Sequence, residues 1–340
     1  MKILKGDELM KKAIITGITG QDGCYLAKLL LSKGYKVYGA QRRNTGKRYW
    51  RLDELNITDQ IEFVDIDLGE PYNIEKVLDK VQPDEFYNLA AQSFVGLSFE
   101  QPQVTTITNS LGVLNILEVI RNKYPNIKFY QASTSEMYGK VTENPQKETT
   151  RFYPRSPYGC AKAYSHYLTV NYRESYNLFT CSGILFNHES PMRGEEFVTR
   201  KITKGLVHWL KNGKPVELGN LDSKRDWGHA EDYVEAMWLM LQQDKPEDYV
   251  IATGKTYSIK DFIQKCLNRL EINFYNNGDE FLDNHGNYII KTNPKFVRPA
   301  EVDLLVGDSS KAKKELLWKP KHNLDSLIDD MIQADLKRYG

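Results

Sequence analysis

A short apolar run, Ala13-Ile14-Ile15-Thr16, passes directly into Gly17-Ile18-Thr19-Gly20-Gln21-Asp22-Gly23 and then into an amphipathic stretch reaching about Lys33. A strand that is apolar at successive positions, rather than at alternate ones, is buried on both faces, as inside a parallel sheet. Glycines three apart between such a strand and a helix match the turn that receives a dinucleotide. The first glycine makes the tight turn, the second lets backbone approach a pyrophosphate, and the third lets helix and sheet pack closely. The phosphates then meet the positive end of the helix. Gly34 follows, where a helix C-terminus needs left-handed backbone.

Further buried-strand candidates lie at residues 35–40, 61–65, 85–90, 128–132 and 179–186, separated by helical periodicity, notably over 74–81, 110–124 and 162–176. This alternation predicts an α/β fold: right-handed crossovers and a doubly wound, mostly parallel sheet of Rossmann type. Past Asn187 the alternation lapses. Pro191, Gly194, Gly213, Pro215 and Gly219 divide the chain into shorter elements, with helices near 198–211 and 231–243. Residues 11–187 are therefore expected to form mainly a cofactor-binding domain. Residues 188–340 should form mainly a smaller C-terminal substrate-binding lobe over the carboxyl ends of the strands, with some elements interleaving. Residues 1–10 read as an N-terminal extension without the apolar core of a signal peptide, with Met10 as an alternative start. Residues 273–287, rich in Asn, Asp and Gly, read as a surface loop or insertion.

Charge is balanced, 46 basic against 45 acidic side chains, so neither nucleic acid nor an anionic membrane is expected as a partner. No apolar run is long enough to span a bilayer. Cys24, Cys160, Cys181 and Cys266 lack metal-ligand spacing, so no metal is expected and a reduced, cytoplasmic setting fits best.

At the end of the second strand stands Ala40-Gln41-Arg42-Arg43-Asn44. An acid there would receive a ribose 2′-hydroxyl, whereas arginine suits a 2′-phosphate, so Arg42 and Arg43 predict NADP. Asp67-Leu68 follows the third strand, where a short acid can take the adenine amino group. Leu89-Ala90-Ala91-Gln92-Ser93 follows the fourth, and its small residues let a cofactor lie against the strand ends.

Tyr158-Gly159-Cys160-Ala161-Lys162 puts a tyrosine and a lysine one helical turn apart on one face, after a Ser156-Pro157 helix entry. Such a pair serves enzymes that move hydride to and from a nicotinamide. The ammonium favours a phenolate, drawing an acid of ordinary pKa about 10 toward a useful range, and can also hold the nicotinamide ribose. Thr134 can hydrogen-bond the hydroxyl that Tyr158 deprotonates. Glu136 adds a proton acceptor that plain alcohol oxidation does not need. Once hydride has left a sugar carbon, the neighbouring C–H becomes acidic and a carboxylate can remove its proton. Water can then leave from the next carbon and the hydride return there, an internal redox dehydration with the cofactor regenerated.

In these stretches the chain resembles the extended short-chain dehydrogenase/reductases and, within them, the GDP-mannose 4,6-dehydratases. The similarity runs from Thr16 to about Asp335. It is densest at residues 129–136, which include Ser133-Thr134-Ser135-Glu136, at 152–158, 171–176, 183–191 and 197–203, and at Arg225-Asp226-Trp227-Gly228. The resemblance implies that Thr134, Glu136, Tyr158 and Lys162 are catalytic, with Glu136 the base at C5 and the acid at C6. It implies cofactor contacts from Gly17, Thr19, Gly20, Gln21, Asp22 and Gly23, from Leu89, Ala91 and Ser93, and from His188 and Arg193. It implies that Ser93, Glu136, Asn187, Val198, Lys201, Arg225, Arg298 and Glu301 hold a GDP-sugar, the arginines suiting its diphosphate.

Family members are often tetramers in which the segment after the second strand, here residues 42–48, reaches a neighbour's cofactor site. A homotetramer or homodimer is expected. The chain departs from the commonest pattern in a shorter 44–55 segment, in Leu89-Ala90-Ala91-Gln92-Ser93 where many members have Leu-Gly-Ala-Met-Ser, and at 273–287. Such differences suit a different sugar, and a close relative acts on GDP-D-glycero-D-manno-heptose, which is larger at C6. Two competing readings are an NADP-dependent nucleotide-sugar reductase or C4 epimerase, against which Glu136 argues, and a non-enzymatic NADP-binding sensor, against which the complete catalytic set argues.

Overall fold

The computed structural model describes residues 10–43, 49–296, 302 and 304–340. The first half runs β1 (Lys12–Thr16), α1 (Gln21–Ser32), β2 (Lys36–Gln41), α2 (Trp50–Glu54), β3 (Glu62–Asp65), α3 (Pro71–Val81), β4 (Glu85–Asn88), α4 (Val95–Glu100), α5 (Pro102–Thr106), α6 (Gly112–Lys123), β5 (Lys128–Thr134), α7 (Pro157–Tyr176) and β6 (Thr180–Leu185). There follow β7 (Asn187–Glu189), α8 (Val198–Asn212), β8 (Val216–Leu218), β9 (Lys224–Arg225), β10 (Trp227–His229), α9 (Ala230–Leu241), β11 (Tyr249–Ile251), β12 (Tyr257–Ser258), α10 (Ile259–Arg269), β13 (Phe274–Asn277), β14 (Glu280–Asp283), β15 (Tyr288–Thr292), α11 (Ser310–Glu315) and α12 (Leu324–Tyr339).

Seven strands form a parallel sheet in the order β11-β6-β5-β4-β1-β2-β3. Ala13 and Ile15 of β1 enter an apolar cluster with Leu26 and Leu30 of α1 and Val234 and Met237 of α9. Ile14 enters a second cluster with Ile74 and Leu78 of α3 and Ile116 and Ile120 of α6. The period-two alternation of a strand is thus spent on two covered faces, each fully buried Leu or Ile contributing roughly 1.5–3 kcal/mol. Strand β11 and helix α9, both from beyond residue 187, complete this sheet and its cover. Among the described residues no helix is long and apolar enough to cross a membrane.

A second sheet, β13-β14-β15-β8, packs with α8, α10 and α12 around Ile202, Leu206, Phe262, Phe281, Ile290 and Met331. Residues 273–287, expected to be a surface loop or insertion, are not a loop but most of a β-ribbon, with β13 antiparallel to β14 and β14 to β15. The Asn, Asp and Gly content belongs to turns at Gly278 (φ 69°) and Gly286 (φ 81°), while Phe281 and Leu282 are buried. Strand β5 also runs two residues past the expected end, so Thr134 closes it and Glu136 sits in the 3₁₀ turn Ser135–Met137.

The glycine turn is locked by backbone. Gly17 has φ 70°, and a Cβ on Gly23 would lie 2.3 Å from Gly17 O and 2.7 Å from Ile18 Cα. Because neither neighbour is a movable side chain, Gly23→Ala is expected to push α1 away from β1 at a cost of roughly 1–3 kcal/mol. Thermal melts should show a lowered Tm and a weakened response to added dinucleotide.

Candidate active site

A cleft of about 670 Å³ opens at the carboxyl ends of β1 to β4, the position at which open α/β sheets bind ligands. Its walls are Gly17, Thr19, Gly20, Gln21, Asp22 and Gly23 of the turn, Arg42 after β2, Asp67 and Leu68 after β3, Leu89, Ala91 and Ser93 after β4, and Arg193. Gly20 is the N-cap of α1 and no side chain caps that end, which suits an anion. Arg43 is exposed beside the cleft and does not line it. Tyr49, Val104, Ile107 and Thr108 also line the cleft. Sequence reading missed them, and their signal was faint: an apolar pair three residues apart in an otherwise polar segment.

Behind the turn, β7 is tied to α1. Gln21 Nε2 donates to the His188 carbonyl at 3.1 Å, and Ser190 Oγ donates to Gln21 Oε1 at 2.8 Å. The His188 ring faces acceptors on both sides, the Phe186 carbonyl 2.8 Å from Nδ1 and Asp22 Oδ2 2.8 Å from Nε2. Both nitrogens can be satisfied only as donors, which requires an imidazolium. Burial alone would lower the His188 pKa, but the charge and hydrogen bond of Asp22 outweigh it and raise it. Burial would likewise raise the Asp22 carboxyl, yet His188 holds it below its usual range. The ring also stacks on Tyr233, with centroids 4.5 Å apart.

Since the His188 pKa is raised above the ordinary value of about 6.5, this pair stabilises fully below that pH and the effect fades as pH rises through the higher value. The Tm advantage of the wild type over His188→Gln is therefore expected to shrink across that window. A pH-independent difference would contradict the imidazolium assignment.

Helix α7 begins at Pro157 with Ser156 Oγ accepting the Gly159 N–H at 3.0 Å. Tyr158, Lys162 and His166 share one buried face of it. A Cβ on Gly159 would lie 2.8 Å from the Glu136 carbonyl, so the absence of a side chain lets α7 come against the 3₁₀ turn. That approach gathers Thr134, Glu136 and Tyr158. Thr134 Oγ1 accepts the Glu136 N–H at 3.2 Å, and the Thr134 side chain and the Glu136 carboxylate both act on the Tyr158 phenol, in opposite directions. His166 Nδ1 lies 3.1 Å from Ser133 Oγ, joining the same helix to β5.

Burial pushes the Tyr158 phenol up to about 12; Thr134 and Arg193 work against burial, and Glu136 adds to it. Lys162 Nζ donates to the Ala132 carbonyl at 2.9 Å and lies 5.9 Å from the Tyr158 ring centroid. The expected lowering of the phenol by Lys162 does not dominate, because the ammonium is anchored to β5 and burial prevails. Burial also draws Lys162 down to about 8, opposed by Asp22.

Of the residues implied for a GDP-sugar, Ser93 lines the cleft and Glu136 lies in the Ser135–Met137 turn, while Asn187, Val198, Lys201 and Arg225 occupy β7, α8 and β9. Asn187 Oδ1 is buried without a hydrogen-bond partner. Val198 opens α8, and Lys201 follows in its first turn, with Nζ 3.5 Å from the Phe296 ring centroid. Burial lowers the Lys201 pKa. Arg225 is buried and donates to the Lys224 carbonyl at 2.9 Å. Arg193 Nε lies 3.0 Å from Glu189 Oε2, and its guanidinium covers Phe197 at 3.6 Å. Arg298 and Glu301 lie outside the described residues, as do residues 44–48.

Among the described residues His229, His322 and Asp330 bring three potential ligand atoms within 4.8 Å of one another. His229 Nδ1, however, accepts the Glu231 N–H at 3.1 Å and caps α9. The neutral ring then carries its proton on Nε2, which lies 3.6 Å from Asp330 Oδ2 without hydrogen-bonding it and offers no lone pair to a metal.

A doubly wound parallel sheet, a glycine turn and a Tyr-x-x-x-Lys helix meeting a strand-end threonine define an extended short-chain dehydrogenase/reductase. Residues 14–331 match the family model described as GDP-mannose 4,6 dehydratase, and the chain belongs to that family. It is 49% identical over 347 residues to the GDP-mannose 4,6 dehydratase of Drosophila melanogaster, covering 98% of this chain and 88% of that protein. It is 49% identical over 351 residues to the GDP-mannose 4,6-dehydratase of Vibrio cholerae serotype O1, covering 96% and 94%. The crystal structure of UDP-glucose 4-epimerase from Thermus thermophilus in complex with NAD matches with a TM-score of 0.78 at 26% identity, covering 97% of this chain and 99% of that one.

Proposed function

We propose that the protein removes water from GDP-mannose to give the GDP-4-keto-6-deoxy sugar, with NADP held in the cleft beside the glycine turn. The observation that carries this reading is the packing of α7 against the Ser135–Met137 turn, which brings Tyr158 toward Thr134 and Glu136 so that the Glu136 carboxylate acts on the Tyr158 phenol. The names of relatives matched along nearly the whole chain support GDP-mannose. For the cofactor, Ala40 and Gln41 at the end of β2 and Arg42 just after it line the cleft, with no acid among them to receive a 2′-hydroxyl.

When bound, the nicotinamide supplies the acceptor of hydride and afterwards its donor. Tyr158 takes the C4 hydroxyl proton while Thr134 donates to the phenolate oxygen and orients it. Glu136 removes the C5 proton, now acidified by the C4 carbonyl, and delivers a proton to the C6 hydroxyl, which leaves as water. Lys162 holds the ribose and adds positive charge behind Tyr158. Asn187, Val198, Lys201 and Arg225, with Ser93, Arg298 and Glu301, form the GDP-sugar side, so residues 188–340 serve mainly the substrate and residues 11–187 mainly the cofactor.

A homodimer or homotetramer, which the family resemblance implies, would be resolved by sedimentation. The four cysteines, all free and three of them buried, suit the cytoplasm.

Incubation with GDP-mannose and NADP should give a product one water lighter by mass, formed faster than from GDP-D-glycero-D-manno-heptose. No water loss with either sugar would overturn the reaction. Faster turnover of the heptose would overturn mannose alone.

A further inference from the structure

A chain of buried amides crosses the sheet from the cofactor cleft to the catalytic lysine. It begins at Thr16, which lines the cleft. Thr16 Oγ1 accepts the N–H groups of Leu89 and Ala90, each at 3.0 Å, and donates its proton to Asn88 Oδ1 at 2.7 Å. With Oδ1 committed as an acceptor, Asn88 Nδ2 donates to Gln131 Oε1 at 2.9 Å. With Oε1 committed in turn, Gln131 Nε2 donates to the Ala132 carbonyl at 3.2 Å. That carbonyl also receives Lys162 Nζ, at 2.9 Å.

The links from β1 through β4 and β5 to α7 thereby run in one direction, the Tyr87 carbonyl at 3.5 Å being a longer alternative acceptor for the Thr16 hydroxyl. Thr16, Asn88 and Gln131 are at most 2% exposed and Lys162 is 4% exposed. Burial leaves water little access to these links, and a buried amide that loses its partner is costly.

We propose that Gln131, held by Asn88 and Thr16, is a positioning residue for Lys162, and that this chain fixes the lysine relative to the wall of the cofactor cleft. The inference rests on the assignment of Lys162 and Tyr158 to the chemistry. Without the amide chain the Ala132 carbonyl would be aimed by strand geometry alone. With it, the acceptor of the ammonium is referenced to the Leu89–Ala90 backbone that lines the cleft, so lysine and cofactor share one frame. A lysine displaced by a fraction of a bond length still leaves the substrate bound, but serves Tyr158 less well.

The test compares kcat and KM for GDP-mannose in Gln131→Met, Gln131→Glu, Thr16→Val and the Thr16→Val/Gln131→Met double variant. Gln131→Met is expected to lower kcat by roughly tenfold to a hundredfold, with KM little changed. The double variant should lose little beyond Gln131→Met, as members of one network do. In Gln131→Glu a protonated carboxyl can accept from Asn88 and donate to Ala132, whereas the ionised form cannot donate and attracts the ammonium. Its kcat should therefore stand near the wild-type value at low pH and fall as pH rises, an ionisation missing from the wild type and from Gln131→Met.

A merely structural role would lower stability without creating this pH limb. An unchanged kcat in Gln131→Met, fully additive losses, or a wild-type pH profile in Gln131→Glu would each overturn the proposal. The Lys162 titration, followed by NMR with isotope-labelled lysine and assigned through Lys162→Met, should move upward in Gln131→Glu without any substrate present. No shift there would overturn the proposal even if GDP-mannose is not the substrate. Loss of activity in Lys162→Met with no effect at Gln131 would leave the functional reading standing and remove only this inference.

Discussion

Glu136→Gln is expected to lose roughly 10²- to 10⁴-fold in dehydration while still binding cofactor and substrate. Glutamine keeps the shape of the side chain, and the bond from the residue 136 N–H to Thr134 Oγ1 is made by backbone, so the turn should hold. Glu136 is only partly buried, which spares the variant an orphaned charge. What is lost is a base for the C5 proton. Oxidation at C4 uses Tyr158 and Thr134 and should continue, so reduced cofactor and a 4-keto sugar that retains its C6 oxygen should accumulate on the enzyme in a single turnover. Nicotinamide absorbance and product mass check both. Near-normal turnover would remove Glu136 from the mechanism.

Tyr158→Phe is expected to stop the sequence one step earlier, with a loss of roughly 10²- to 10⁴-fold and no accumulation of reduced cofactor. The ring sits in a buried site that phenylalanine fills, so the loss of the hydroxyl should cost only about 1 kcal/mol of stability. A folded but inactive variant is therefore expected. Burial makes the phenol a weak acid in the resting site, so the wild-type rate should rise with pH as the phenolate becomes available. Rapid cofactor reduction by Tyr158→Phe would contradict the role assigned to the phenol. The two variants separate the steps: one blocks before hydride moves, the other after.

Much of the fold was legible because its signals are local. The run Ala13-Ile14-Ile15-Thr16 and the three glycines carry strand, turn and helix within a few residues, and Tyr158 and Lys162 need only one helical turn to meet. Long-range pairing was not legible. Strand β11 joins β6 by setting Tyr249 beside Gly183, and nothing near residue 249 announces that neighbour. Residues 273–287 misled because turn residues outnumber the few apolar positions, Phe281 and Leu282 among them, that hold the ribbon to the core. At the site, identities were readable but partners were not. Lys162 could be picked out as a base partner, yet its tie to the Ala132 carbonyl requires β5 and α7 to be packed. His188 gave no hint of its charge until Asp22 and the Phe186 carbonyl stood on either side of the ring.

The central claim is that hydride is borrowed from C4 of the sugar and returned to C6 of the same molecule. GDP-mannose carrying deuterium at C4 and carbon-13 throughout the sugar, mixed with unlabelled GDP-mannose, tests it directly. The account predicts deuterium at C6 of the 4-keto-6-deoxy product, with no exchange between labelled and unlabelled molecules. Deuterium lost to water, or found on free reduced cofactor beside a product that retains its C6 oxygen, would contradict it.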